Sequence, residues 1–121
     1  MAIQYSMEAE GDLLVVVASG ADEDLNDVKA YGVAVIQAAI QTGCRLVLCN
    51  ELDLEYKLGT VDTFESASYI ASYAPHVAKV AIVCNAQCIN DALFWETVAV
   101  NRGLMVRVFR SVADANVWLK E

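Results

Sequence analysis

The chain has 121 residues, 57% of them hydrophobic and 20% charged, with one proline; this excludes a disordered chain and fits one domain that buries roughly two-thirds of its unfolded surface. A formal net charge of −8 argues against nucleic acid and anionic membrane surfaces as partners, since basic patches hold both. The longest apolar stretch, "YGVAVIQAAIQTG", falls short of the ~20 residues of a membrane span, and the opening "MAIQYSMEAEGD" has no basic leader or apolar signal core, so a cytoplasmic protein is expected.

Taken in chain order, "IQYSMEA" and "LLVVVASG" are β-rich runs around Glu10-Gly11-Asp12, the pattern of a hairpin. Ile3, Tyr5 and Met7 share one face of the first strand. The second strand is apolar throughout, as in a strand covered on both faces, and Gly20 ends it. Asp22 or Asp24 caps a first helix that runs to about Thr42, with Gly43 as its C-cap. Its stripe of Leu25, Val28, Gly32, Val35 and Ala39 is widened by Val33, Ile36 and Ile40 beyond the ~100° of a surface helix, so a neighbouring helix or a second subunit should cover more than one side. "CRLVLC" reads as a short third strand, followed by a long loop, "NELDLEYKLG".

Thr60 then caps a second helix, "VDTFESASYIASYA", which stops before Pro75. Its core face is expected to be Phe64, Ala67, Ile70, Ala71 and Ala74, with Asp62, Ser66, Tyr69 and Tyr73 opposite. "VAKVAIVC" is the fourth strand, and Asn90 caps a third helix, "DALFWETVAVNR", that ends at Gly103. "LMVRVF" is the last strand. Ser111 and Asp114 form a capping pair for a final helix, "VADANVWLKE", that buries Val112, Ala115, Trp118 and Leu119. The order is ββαβαβαβα, which calls for a mixed, mostly parallel five-stranded sheet with four helices.

Ligand sites of parallel β/α sheets lie at the carboxyl ends of the strands, where "LVLCN" and "AIVCN" both stop. Cys49, Asn50, Cys84, Asn85 and Cys88 are therefore the candidate binding edge. Cys44 and His76, the only histidine, belong to the opposite edge. Three thiols converge without a CxxC pair, and a zinc site needs four ligands, so no metal and no cofactor is expected. The four cysteines read as buried thiols of a reducing compartment. The sequence has no glycine-rich phosphate loop, no GxSxG and no HExxH, and the pairs Glu51/Asp53 and Asp62/Glu65 read as solvated carboxylates. No catalytic residue is expected. Residues 1–65 hold twelve acids against three bases, and residues 66–121 four against five, so an acidic face belongs to the first half. Tyr69 and Tyr73, one turn apart on a polar face, are candidate interface anchors.

"KVAIVCN" and "ALFWETVAVNRGLMVRVFRSVADANVWL", with a closing strand "VRVF" and a capped helix carrying Trp118-Leu119, resemble the STAS-like (SpoIIAA-like) family. Anti-sigma-factor antagonists are its best-known branch, and CRAL-TRIO lipid-binding domains share its fold. The resemblance implies an α/β superhelix with helices mainly on one side of the sheet, and a dimer. It also implies a phosphorylatable hydroxyl at the helix after the third strand. "LGTVDTFES" has no Asp-Ser motif there, and Thr60, with Thr63 behind it, stands nearest the matching place. The expected function is a non-catalytic, homodimeric domain for protein–protein interaction or regulation. A binding domain for a small apolar, lipid-like ligand is the alternative, and a thiol-dependent enzyme using Cys84 or Cys88 the third.

Overall fold

A computed structural model describes residues 3–121. Its elements are β1 (Gln4–Glu10), β2 (Leu13–Asp22), α1 (Leu25–Thr42), β3 (Leu46–Tyr56), α2 (Thr60–Ala71), β4 (Lys79–Cys84), α3 (Ile89–Asn101), β5 (Val106–Phe109) and α4 (Val112–Leu119). The strands lie side by side in chain order. β1 and β2 form the antiparallel hairpin, and every later pair is parallel. The predicted α/β class, element order and mixed sheet are all present.

Crossovers of one hand in a sequentially ordered sheet deliver every connecting helix to the same face. The main core accordingly joins Tyr31, Val35 and Ala39 of α1, Ala67 and Ile70 of α2 and Val98 of α3 to the inward side chains of the sheet. No strand follows α4, which returns to the other face and packs Ala115 and Leu119 on Leu48, Ala81 and Val83. This arrangement explains the apolar second strand. Leu14, Val16 and Ala18 lie in the main core, while Leu13 and Val15 meet the α4 cluster. Val17, beyond the reach of α4, stays 46% exposed.

Capping sets the boundaries of α1. The Asp24 carboxylate accepts from the N–H of Asn26 at 2.8 Å, and Gly43 closes the helix at φ 74°, a left-handed angle that suits glycine. Asp22, the other capping candidate, belongs to β2, which runs two residues past Gly20. Much of the wide apolar face of α1 is covered by the sheet and by α2, with Val35, Ile36 and Ala39 buried, but Ile40 stays 49% exposed. The two helices meet at Gly32, where an added Cβ would lie 2.2 Å from Cδ1 of Ile70. At α4, Ser111 Oγ accepts from the N–H of Asp114 at 3.1 Å, as expected.

Four expectations require correction. The segment 50–59 is not a loop after a short strand: β3 continues through it to Tyr56, paired with β2 as far as Asp22. Thr60 does not cap α2, because Gly59 is the capping residue and Thr60 the first helical one. The chain enters α3 through a 3-10 turn, Ala86–Cys88, capped by Asn85 rather than Asn90. The buried face of α2 comprises Thr63, Ser66, Ala67, Ile70 and Ala71, while Phe64 is 42% exposed beneath the Arg102 guanidinium. Ser66 can be buried because its hydroxyl donates to the Thr63 carbonyl at 2.9 Å and accepts from the Trp95 indole at 3.1 Å.

Candidate functional site

The site begins with an irregularity in β3. Asn50 pairs with Val17 and Asp53 with Ser19, so Glu51 and Leu52 together face the single residue Ala18. Such a bulge shifts the alternation of side chains by one position. Before it, Val47 and Cys49 point into the main core; beyond it, Leu54 does so, with Tyr56 packed against the same core. Glu51 and Tyr56 therefore share a face, although strict alternation would place them on opposite ones.

The bulge frees backbone groups, and the two asparagines take them up. Asn50 Oδ1 accepts from the Leu52 N–H at 3.2 Å, and Asn85 Nδ2 donates to the Leu52 carbonyl at 3.1 Å. Asn85 Oδ1 also accepts from the Cys88 N–H at 3.1 Å. The two Cys-Asn pairs are thus close in space without being equivalent. Cys84 ends β4 opposite Glu51, whereas Cys49 sits mid-strand opposite Ile82.

Glu51 is 7% exposed. The Tyr31 hydroxyl donates to its Oε2 at 2.8 Å, and the Tyr56 hydroxyl donates to its Oε1. Tyr31 is held in turn by the Tyr5 ring, 5.3 Å away between centroids. Glu51, Tyr31 and Tyr56 line a cavity of about 100 Å³ between the sheet and helices α1, α2 and α3. Most of its wall is aliphatic, including Val28, Val35, Leu54, Ile70 and Leu104. The polar exceptions are few: Glu51 with its two tyrosines, Asp22, Asp91, Thr63, Ser66, the Cys49 thiol and the Trp95 indole. Asp91 is itself exposed on the first turn of α3 and marks the side facing solvent.

Burial sets the electrostatics. It pushes Glu51 up to about 6 against the opposing tyrosine hydroxyls, with the Asp22 charge adding to the rise. Burial likewise pushes Asp22 up to about 6. The backbone N–H groups of Lys57 and Leu58 oppose that shift, and the Asp91 charge reinforces it. Burial, then the Glu51 charge, raises Tyr31 and Tyr56 well above the ordinary phenol range. Buried carboxyls near neutrality inside a cavity are a common mark of a working site.

The candidate thiols meet in the same region. Cys49 lines the cavity, Cys84 lies near both Glu51 and Cys88, and the Cys88 thiol sits 3.8 Å from the Leu54 carbonyl. Burial and then the Glu51 charge drive Cys49 far up. Cys84 rises to about 11 through burial, Cys88 and Glu51, with Arg110 opposing. Thiols held protonated in this way are poor nucleophiles. Among the described residues, no three of His, Cys, Asp and Glu are grouped to hold a metal ion. Cys44 and His76 stand before β3 and β4, at the far edge.

Other sequence candidates lie outside the cavity or on its rim. Thr60 is exposed on the first turn of α2, and Thr63 is buried as a lining residue. Tyr69 and Tyr73 meet edge to face at 6.0 Å, with Lys29 Nζ 4.9 Å from the Tyr69 ring centroid. The sequence reading missed Asp22, Tyr31, Glu51 and Tyr56. A signal was present: Leu52 and Leu54 alternate with acids in "NELDLEY", which is a strand pattern.

Among the described residues no helix is long and apolar enough to cross a membrane. No family profile matches the sequence, and no curated protein matches it either. Solved structures do match. An anti-sigma factor antagonist from Mycobacterium paratuberculosis aligns with a TM-score of 0.69 at 16% identity, covering 99% of this chain and 96% of that one. An uncharacterized protein of the DUF3478 family with a SpoIIAA-like fold, from Shewanella loihica, aligns with a TM-score of 0.60 at 17% identity, covering 98% and 94%. At such identities the shared property is architecture, and the sequential β/α sheet with three helices on one face and one on the other is a SpoIIAA-like fold.

Proposed function

We propose that the chain is a non-catalytic regulatory domain of the STAS type, cytoplasmic, acting through protein contacts as a homodimer. The observation that carries this reading is the likeness to an anti-sigma factor antagonist over nearly the whole of both chains. The outer surfaces of α2 and α3 supply material for a contact: Val61, Phe64, Leu93 and Phe94 are exposed, Tyr69 stands on the same helix as Phe64, and Tyr73 follows just past its end, before a 3-10 turn at Ala74–His76. Buried aromatic anchors carry much of the energy of protein interfaces. Exposed Thr60 is the phosphoacceptor of this proposal, since a phosphate there would meet the positive end of α2. Native mass measurement with an affinity pull-down from the source cell tests it. A dimer mass and a retained protein partner, weakened by Tyr69→Ala with Tyr73→Ala and altered by Thr60→Glu, are expected. A monomer that retains nothing would refute the reading.

A second reading rests on the cavity: the domain binds a small, largely apolar ligand between α1, α2 and the sheet. Apolar walls with a few convergent polar groups are the common form of small-molecule sites. Chemistry at a thiol is the least supported reading, because burial raises both Cys49 and Cys84.

A further inference from the structure

The charged groups of the cavity share a sign. Asp22, Glu51 and Asp91 line it, and among the described lining residues there is no lysine, arginine or histidine. Lys29 is engaged elsewhere, 3.8 Å from Glu65 and over the Tyr69 ring. Tyr31 and Tyr56 give Glu51 two hydrogen bonds but no compensating charge. A buried carboxylate without a cation nearby is costly, and either a proton or a cationic ligand relieves it. The rest of the wall is aliphatic and aromatic, with the rings of Tyr31, Tyr56 and Trp95 among the lining. Such a wall favours an apolar body, and aromatic rings tolerate a cation beside them.

Building on the small-ligand reading, we propose that the cavity takes a compact organic cation, a protonated primary amine on a small apolar body, with the ammonium group on Glu51 and Asp22 and the body against the aliphatic wall. An ammonium has three donors, and the two carboxylates keep acceptor positions that the tyrosine hydroxyls and the Lys57 and Leu58 amides leave open. A carboxylate or phosphate ligand would face three like charges. The groups around Glu51 are Asp22 on β2, Tyr31 on α1, Cys49 and Tyr56 on β3 and Cys84 on β4; Asp91 on α3 acts on Asp22, and Arg110, just past β5, acts on Cys84. Of these, Glu51 and Asp22 take up protons near pH 6. Cation binding should therefore weaken as the pH falls through about 6.

Benzylamine, benzyl alcohol and benzoate share a ring and differ in charge, so they separate the alternatives. Each is titrated into the full chain at neutral pH and millimolar concentration, followed by amide resonances of Tyr31, Glu51 and Leu54. Benzylammonium is expected to shift these resonances and bind at least about tenfold tighter than benzyl alcohol, because charge-assisted hydrogen bonds are the stronger ones. Benzoate should leave them unmoved. Glu51→Gln should remove the preference for the amine. Should that variant fail to fold, Asp22→Asn and a titration of the wild type from about pH 8 to about pH 5 test the same charge requirement. Equal binding of benzyl alcohol, or binding of benzoate, overturns the cation assignment and leaves a small-ligand cavity standing. No response to any of the three overturns both.

Discussion

Glu51→Gln keeps the shape of the side chain and removes its titration, so it isolates what the buried carboxyl does to stability. In the folded chain Glu51 takes its proton at about 6, against an ordinary 4.5. Below both values it is protonated whether folded or unfolded, and its ionisation contributes nothing. As the pH rises, the unfolded chain gives up the proton first, so the unfolded state is favoured progressively until the folded carboxyl has ionised as well. At about 1.4 kcal/mol per pKa unit, the full cost is about 2 kcal/mol, reached near pH 7. The Gln variant has a cost of its own, because its amide cannot accept from both Tyr31 and Tyr56. That cost of about 1 kcal/mol does not depend on pH. Asp22 titrates in the same window but is common to both proteins. The stability difference, wild type minus variant, should therefore fall by about 2 kcal/mol between about pH 4 and about pH 8. Urea unfolding followed by fluorescence of Trp95 and Trp118 would read this as a relative midpoint shift of about 1 M. A difference that stays constant across this range, or grows with pH, would refute the account of Glu51 as a carboxyl strained by burial.

Gly32→Ala should destabilise the chain by about 1–2 kcal/mol despite better helix propensity, because the new methyl meets Ile70 in a packed interface. In an Ile70→Ala background the same change should turn stabilising; a double-mutant cycle in chemical denaturation checks the sign reversal. Asn85→Ala removes the cap on the Cys88 amide and the donor to the Leu52 carbonyl, for a loss of about 1–2 kcal/mol by the same assay. Adding Asn50→Ala should cost less or more than its separate value, since both side chains hold the backbone of Leu52. Iodoacetamide at neutral pH should modify the native thiols slowly and all four in urea, given their burial. Selective, rapid capture at Cys88 would contradict that and revive thiol chemistry.

Much of the fold was legible because its signals are local. The Asp24 and Gly43 caps bound α1, the Ser111 cap opens α4, and the turn at Gly11 makes the hairpin. These depend on hydrogen bonds between near neighbours, which sequence spacing reports directly. The face of α2 was not legible. Ser66 looks solvent-facing until Trp95, 29 positions away, supplies the donor that lets its hydroxyl be buried. Asn85 was overlooked as a cap for a similar reason. It serves the 3-10 turn and the Leu52 carbonyl together, and the second partner belongs to another strand.

The site and the largest misreading come from the same six residues. "NELDLE" reads as a loop because it is rich in acids and opens on a turn-former, although its alternation of acids with leucines is a strand pattern. In the fold Asn50 does form a turn, but a turn inside a strand: it ties the Leu52 amide at the bulge while pairing with β2 resumes at Asp53. Without the bulge, Glu51 and Tyr56 would fall on opposite faces of β3, and the carboxylate would lose one of its two hydroxyl donors. The asparagines that end the two Cys-Asn pairs therefore act indirectly. They hold the distortion that brings Glu51 and Tyr56 to the same cavity, next to Tyr31 from α1. The bulge in the strand and the polarity in the core are one feature, which is the usual signature of a site rather than of packing.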